Sequence, residues 1–281
     1  MTNKSSYKKI LDEMKVLPNI NPQFEVNRRV KFIKSILINS KLANLVLGIS
    51  GGVDSAICGR LAQLAINELN QEQTSLNYSF VALRLPYGEQ LDEIDCKKSL
   101  EFIRPSKSII INIKPSVDIT NEKINNSIKD ALVENKNDDA YDFVKGNTKA
   151  RIRMTIQYQV AGLLGGLVLG TDHSAENVTG FYTKWGDGAC DLVPLFGLNK
   201  RQVREIAEFL NAPSSIFKKM PTADLECLSP QKADEDVLGV TYEKIDDFLE
   251  GKPIDQRSLE VIVGLYNKTI HKRAMIPTIY D

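Results

Sequence analysis

Cysteine is sparse in this chain. The four copies, at 58, 96, 190 and 227, are widely scattered, with neither metal-ligand spacing nor a disulfide framework. Excess charge is missing as well: 36 basic residues balance 36 acidic ones, which argues against wholesale binding to nucleic acid or to a membrane surface. The first 15 residues are polar and charged, unlike a signal peptide. The longest apolar run, Val160 to Gly170, is too short to span a bilayer and contains four glycines. Internal repeats and low-complexity tracts are absent. What remains is ordinary for a soluble globular protein, with 42% hydrophobic and 26% charged residues. At 281 residues, a single-domain cytoplasmic enzyme is the plain expectation.

One stretch organises the rest. Leu45 to Ile49 reads as a short buried strand, Ser50-Gly51-Gly52 as a tight turn, and the chain from Ser55 as a helix running to about Asn70. The two glycines allow a sharp turn and close approach to a bound group. Such a turn, with a helix N-terminus behind it, suits an anionic phosphate. A Walker loop would continue with Lys and then Ser or Thr. Here Val53-Asp54-Ser55 follows, so a carboxylate faces the phosphates. That arrangement calls for a cation between the two negative groups, most naturally magnesium.

Helical spacing is expected over Tyr7–Met14 and Val26–Asn39 before this strand. After it come strands at Ser79–Leu85, Ser108–Ile113 and Leu167–Gly170, with helices at Asp92–Ile103 and Val117–Val133 between them. Asn135 to Asp139 reads as a polar loop tip. Asn147 reads as the N-cap of a long helix carrying Ile152, Ile156, Val160 and Leu163 on one face. Alternating strands and helices imply an α/β fold, a doubly wound parallel sheet flanked by helices. Helices at Lys200–Leu210, Tyr242–Leu249 and Leu259–Thr269 make the C-terminal part helical, with Pro213–Ala233 an irregular connection. Sheets of this kind bind ligands beyond the carboxyl ends of their strands. Polar motifs fall there after the first, second and fourth strands.

Seven strings then occur in order: Gly48-Ile-Ser-Gly-Gly-Val-Asp-Ser55, Arg84-Leu-Pro-Tyr-Gly88, Gly170-Thr-Asp-His-Ser-Ala-Glu176, Thr179-Gly-Phe-Tyr-Thr-Lys-Trp-Gly-Asp-Gly188, Leu198-Asn-Lys-Arg-Gln202, Pro221-Thr-Ala-Asp-Leu-Glu226 and His271-Lys-Arg273. The first resembles the pyrophosphate loop of the ATP pyrophosphatases, whose fold is that of the adenine nucleotide hydrolases. The whole set resembles the ammonia-dependent NAD synthetases and covers nearly the entire chain. The resemblance implies a homodimer that converts deamido-NAD, ATP and ammonia into NAD, AMP and pyrophosphate through an adenylated carboxylate. It assigns Gly48, Ile49, Ser50, Gly51, Gly52, Val53, Asp54, Ser55, Arg84, Gln90, Thr171, Lys200 and Thr222 to ATP. It assigns Arg151, Lys184, Asp191, His271 and Lys272 to deamido-NAD, and places Arg151 on a helix of the dimer interface. Asp54 and Glu176 are the expected magnesium ligands and, with Lys200, the expected catalytic residues.

Ordinary alternatives exist for individual residues. Lone acids or a lone Lys are more often solvated surface groups, and Phe181, Tyr182 and Trp185 stack on a base less often than they pack. His173 reads as a general base or as a group that orients its loop by hydrogen bonding. Three departures from the family pattern stand out: Val53 for a usual Gln, Arg60 for a usual Lys, and Cys227-Leu228 where an acidic run usually continues. Rival readings are a tRNA-thiolating or GMP-forming relative, or a nucleotide sensor without catalysis. Paired cysteines and a basic RNA face, which thiolation would favour, are absent. Ammonia rather than glutamine is the expected nitrogen donor. Outside the span from Gly48 to Lys272 lie only the first 47 residues and a nine-residue tail, too little for the glutaminase domain of glutamine-using relatives.

Overall fold

The computed structural model describes residues 3–72, 76–88, 93–128, 138–221, 228 and 233–281, with side chains from Tyr7 onward. Gln90, Thr222 and Cys227 lie outside them.

The N-terminal part holds α1 (Asn3–Met14) and α2 (Pro22–Ser40). Asn21 starts α2, its side chain accepting from the amide of Phe24, with Pro22 in the first turn. The sheet region runs β1 (Asn44–Gly48), α3 (Val53–Glu72), β2 (Ser79–Arg84), α4 (Glu93–Ile103), β3 (Lys107–Ile110), α5 (Lys114–Ser127), α6 (Asp138–Leu164) and β4 (Gly166–Val168). Then follow α7 (Ser174–Thr179), α8 (Lys200–Phe209), α9 (Ser214–Phe217), α10 (Asp234–Leu238), α11 (Tyr242–Leu249), α12 (Gln256–Lys268) and α13 (Ile270–Arg273).

The four strands are parallel in the order β3-β2-β1-β4. The first three proceed outward in one direction, and β4 returns to the other side of β1. The winding therefore reverses between β1 and β4, which is where a parallel sheet opens a crevice beyond its carboxyl ends. Side chains alternate between faces along each strand. Leu45, Leu47, Phe80, Ala82 and Leu169 join a core with Val30, Ile33 and Leu37 of α2, Ile57, Leu61 and Ala65 of α3, and Val203 and Ile206 of α8. Val46, Val81, Leu83 and Val168 face the other way, onto Val117 of α5 and Ile152, Ile156, Val160 and Ala161 of α6. A third apolar cluster joins α1, α7, α11 and α12 through Ile10, Met14, Val178, Ile245 and Ile262.

The fold follows the sequence reading, with local corrections. Asn147 is not an N-cap, because α6 begins at Asp138, nine residues earlier. The Asn147 side chain instead donates back to the carbonyl of Phe143 and accepts from the hydroxyl of Thr183, so a tertiary partner takes the polar group that would cap a helix start. Residues 138 and 139, read as loop, form the acidic first turn of α6. Leu163 does not share the buried face of Ile152, Ile156 and Val160; it is 79% exposed. The third strand stops at Ile110 and is an exposed edge. The helix after the phosphate-type turn starts at Val53, two residues before Ser55.

Candidate active site

The Gly-Ser turn after β1 is held from within and from behind. Ser55 Oγ accepts the amide of Ser50 at 3.2 Å and donates to the carbonyl of Gly52 at 3.2 Å, closing the turn on the first turn of α3. Gly51 has φ +88°, and a Cβ there would lie 3.1 Å from both N and Sγ of Cys96. Only glycine suits both its conformation and that contact. Cys96 is buried where α4 backs the turn. Gly48 donates its amide to Gln157 Oε1 at 2.7 Å, so α6 reaches the same strand end.

Across the switch point, His173 caps α7 and Glu176 sits in its first turn. Asn199 caps α8 through a reciprocal capping box with Gln202, which presents Lys200 at the first helical position. The three loops bring Asp54, His173, Glu176 and Lys200 together. Lys200 Nζ lies 2.6 Å from Asp54 Oδ2 and 3.4 Å from His173 Nε2, and 5.0 Å from the ring centroid of Tyr242. His173 Nε2 is 3.5 Å from Asp54 Oδ1 and 3.6 Å from Glu176 Oε1.

Burial would raise the Asp54 carboxyl, but the Lys200 ammonium overcomes it and holds Asp54 below the usual range. Glu176 is pushed well above its ordinary value, first by burial and then by the nearby Asp54 charge. Burial would lower Lys200, yet Asp54 and Glu176 raise it, so it stays an ammonium. His173 is lowered to about 3, by burial first and then by Lys200, and is neutral at physiological pH. The pocket thus holds one ion pair beside a second acid whose ionisation its surroundings oppose. Asp54 Oδ1 is buried and has no hydrogen-bond partner among the described residues. Atoms of Asp54, His173 and Glu176 lie within 4.8 Å of one another, close enough for one cation. An unpaired carboxylate oxygen beside a second carboxylate is a hard-oxygen donor set that fits magnesium.

The other expected residues divide. Arg84 is buried at the end of β2, with both terminal nitrogens on the Glu93 carboxylate and its Nε without a partner among the described residues. Arg151 and Lys184 are brought together, Arg151 donating to the Lys184 carbonyl at 3.3 Å. Lys272 donates to the carbonyls of Gly180 at 2.7 Å and Tyr182 at 2.5 Å, fixing the α7–β4 side of the cleft. Asp191 is already committed in part, accepting the amide of Val168 at 2.7 Å. His271 is exposed beside Lys272, and Thr171 is half-buried just beyond β4.

Sequence reasoning missed Asp234 and Tyr242. Asp234 is buried, accepts from the Tyr242 hydroxyl at 3.3 Å and has no partner for Oδ1 among the described residues. Its neighbours in charge are Lys200 and Asp54. The only available signal was an Asp-Glu pair opening a short helix, which reads as surface in isolation.

The family described as NAD synthase matches residues 25–276. The chain belongs to the NAD synthase family. A relative named NH(3)-dependent NAD(+) synthetase, from Vibrio parahaemolyticus, is 60% identical over 97% of this chain and 99% of its own length. The NAD+ synthetase structure from Burkholderia pseudomallei superposes with a TM-score of 0.80 at 43% identity, covering 96% of this chain and 97% of that one. The NMN synthetase structure from Francisella tularensis gives 0.78 at 31% identity, over 92% and 99% of the two chains. Both solved structures thus share the fold described above.

Proposed function

We propose that this chain forms NAD from deamido-NAD, ATP and ammonia, as a cytoplasmic homodimer using magnesium held by Asp54 and Glu176. The observation that carries the site assignment is the convergence of those carboxylates with Lys200 across the β1–β4 switch point, one carboxylate oxygen being left unpaired. The chemistry explains the residues. A carboxylate resists ammonia because its leaving group would be oxide. Transfer of AMP from ATP makes a mixed anhydride and releases pyrophosphate. Attack by ammonia then forms the C–N bond and breaks the C–O bond to AMP.

Two anions must be brought together for the first step. When bound, magnesium supplies charge neutralisation between the carboxylates and the phosphates. The amides of the Ser50–Gly52 turn and the start of α3 cradle phosphate oxygens. Lys200, buried against Asp54, supplies a point counter-charge to the phosphates. Arg84 and Thr171 lie at neighbouring strand ends and take the rest of ATP, with Gln90 and Thr222 assigned to it by family resemblance. Arg151, Lys184 and Lys272 supply positive charge to the deamido-NAD pyrophosphate and carboxylate, His271 belongs to the same site by family resemblance, and Asp191 accepts from a ribose hydroxyl.

Among the described residues, no helix is long and apolar enough to cross a membrane. The homodimer reading is supported by α6, which leaves Phe143, Val144 and Leu163 exposed on the element that carries Arg151.

The test is NAD, AMP and pyrophosphate formation from deamido-NAD and ATP, with ammonium or ammonia-free glutamine as nitrogen source. Turnover should require ammonium and rise with pH at fixed total ammonium, since only the unprotonated amine attacks. Comparable turnover from glutamine alone would overturn the assignment of the donor.

A further inference from the structure

We propose that His173 is a positioning residue: its Nδ1 fixes the first turn of α7, and its Nε2–H points between the Asp54 and Glu176 carboxylates to hold their spacing for a divalent cation. This rests on the magnesium reading above. It separates His173 from two other roles its place invites, third metal ligand and general base.

Nδ1 accepts the backbone amide of Glu176 at 3.3 Å, from an N-cap residue in extended conformation at φ −105° and ψ 168°. A backbone amide can only donate, so Nδ1 must present its lone pair. A neutral imidazole carries one N–H, which is therefore on Nε2. The surroundings of Nε2 agree. Two carboxylate oxygens lie at 3.5 and 3.6 Å. The third neighbour, Lys200 Nζ at 3.4 Å, is an ammonium that donates to Asp54 Oδ2 at 2.6 Å and has further N–H donors, so the Nδ1 bond and not this contact decides the tautomer. Metal ligation or proton abstraction through Nε2 would need a lone pair there. That would move the proton to Nδ1 and set two donors against each other at the start of α7.

The separations from Nε2 to the carboxylates exceed those of strong hydrogen bonds. The N–H instead acts as a dipole between two acids that repel one another. Asp54 follows β1 and Glu176 follows β4, so the imidazole spans the crevice while sitting on the same loop as Glu176. Its ring is fully buried and meets Tyr242 edge-on, with centroids 6.2 Å apart and planes at 64°. The orientation of the N–H is set by packing and by the cap together, as outer-shell histidine partners commonly are.

The two nitrogens can be tested apart. His173→Asn retains an acceptor at the Nδ1 place but has nothing at Nε2. His173→Gln places an amide N–H near Nε2 and loses the cap. Mn2+ affinity is measured in the presence of a non-hydrolysable ATP analogue, with thermal unfolding alongside. Asn should keep the wild-type melting temperature and weaken Mn2+ binding roughly 10- to 100-fold. Gln should unfold at lower temperature while losing less affinity for Mn2+ than Asn does. Wild-type Mn2+ affinity in the Asn variant would overturn the proposal. The tautomer is read without any variant, by nitrogen NMR of the wild-type imidazoles with Mg2+ and the same analogue. The Nε2–H form should persist, and conversion to the Nδ1–H form would overturn the proposal in favour of a ligand. Absence of Mn2+ binding by the wild-type protein would refute the magnesium reading itself, while the NMR result would still report on the imidazole.

Discussion

Two regions of this molecule break the ordinary rule of polar outside and apolar inside, in opposite senses. Beyond the carboxyl ends of β1 and β4, His173, Lys200 and Asp234 are buried, and Asp54 and Glu176 nearly so. On α6, Phe143, Val144 and Leu163 stand 60, 51 and 79% exposed. Each departure costs free energy in an isolated chain, and each is relieved by a partner of matching chemistry. For the buried acids, the partner we propose is a cation and the phosphates it brings. For hydrocarbon on the helix that carries Arg151, the partner we propose is a second copy of the chain. On that proposal both regions are completed only by a partner that the lone chain lacks.

The largest effect should come from removing a charge at the first region. Asp54→Asn keeps the shape of the side chain and its place in the first turn of α3, but weakens the cation site and releases Lys200. Loss of one metal-binding carboxylate should cost several kcal/mol of transition-state stabilisation, roughly a thousand-fold in adenylation rate. The assay is pyrophosphate release at saturating Mg2+, with circular dichroism confirming the fold. Turnover within threefold of wild type would remove the first region from the comparison.

The second region is broken by Leu163→Asp. Because Leu163 is exposed in the single chain, the substitution should leave the monomer fold unharmed. Buried at a two-fold interface, it would lose about 1.5 to 3 kcal/mol per subunit, counted twice. Sedimentation at micromolar concentration should show the wild type as a dimer and the variant shifted to monomer, with activity falling in parallel. A wild-type monomer with full activity would show that the exposed hydrocarbon of α6 has another purpose.

Legibility from sequence differed between the regions for a physical reason. Asp54 was readable because the Gly-Gly turn, the preceding strand and the helix after it are contiguous and obey local rules. Lys200 became meaningful only through topology, since 146 positions separate it from the carboxylate it meets. Asp234 was invisible, because burial of an acid is decided by Tyr242 and Lys200 on other elements. Asn147 was misread for the same kind of reason. Its amide suits a cap and equally suits Thr183, and only the tertiary structure shows which partner it has. The strand–helix alternation was legible throughout, because the core face of each strand and helix repeats with its own period. The exposed end of α6 was not, because Leu163 fits the buried period and is placed outside it by the end of the helix one residue later.

The smallest expected effect sharpens the first region by asking what burial alone does to a carboxyl there. Asp234 is raised to about 6, mainly by burial, with Lys200 and the Tyr242 hydroxyl pulling in the other direction. A raised carboxyl means that the native state holds the proton more tightly than the unfolded chain does. Stability contributed at Asp234 is therefore present below the ordinary carboxylate range and lost as pH rises towards about 6, with no further change above. A proton held that much more tightly in the folded chain is worth about 3 kcal/mol at most. Asp234→Asn cannot ionise, so its unfolding free energy should fall less than that of wild type between pH 4 and 6.5, by about 1 to 3 kcal/mol. Asp246, likewise raised to about 6 by burial against the bonds it accepts from the Lys200 and Arg201 amides, remains in the variant and should leave a residual slope. Urea unfolding at fixed temperature across this range reads both. Parallel curves for wild type and Asp234→Asn would mean that the Asp234 proton is held no more tightly in the folded protein than in the unfolded chain. The buried-acid side of the comparison would then rest on Asp54 and Glu176 alone.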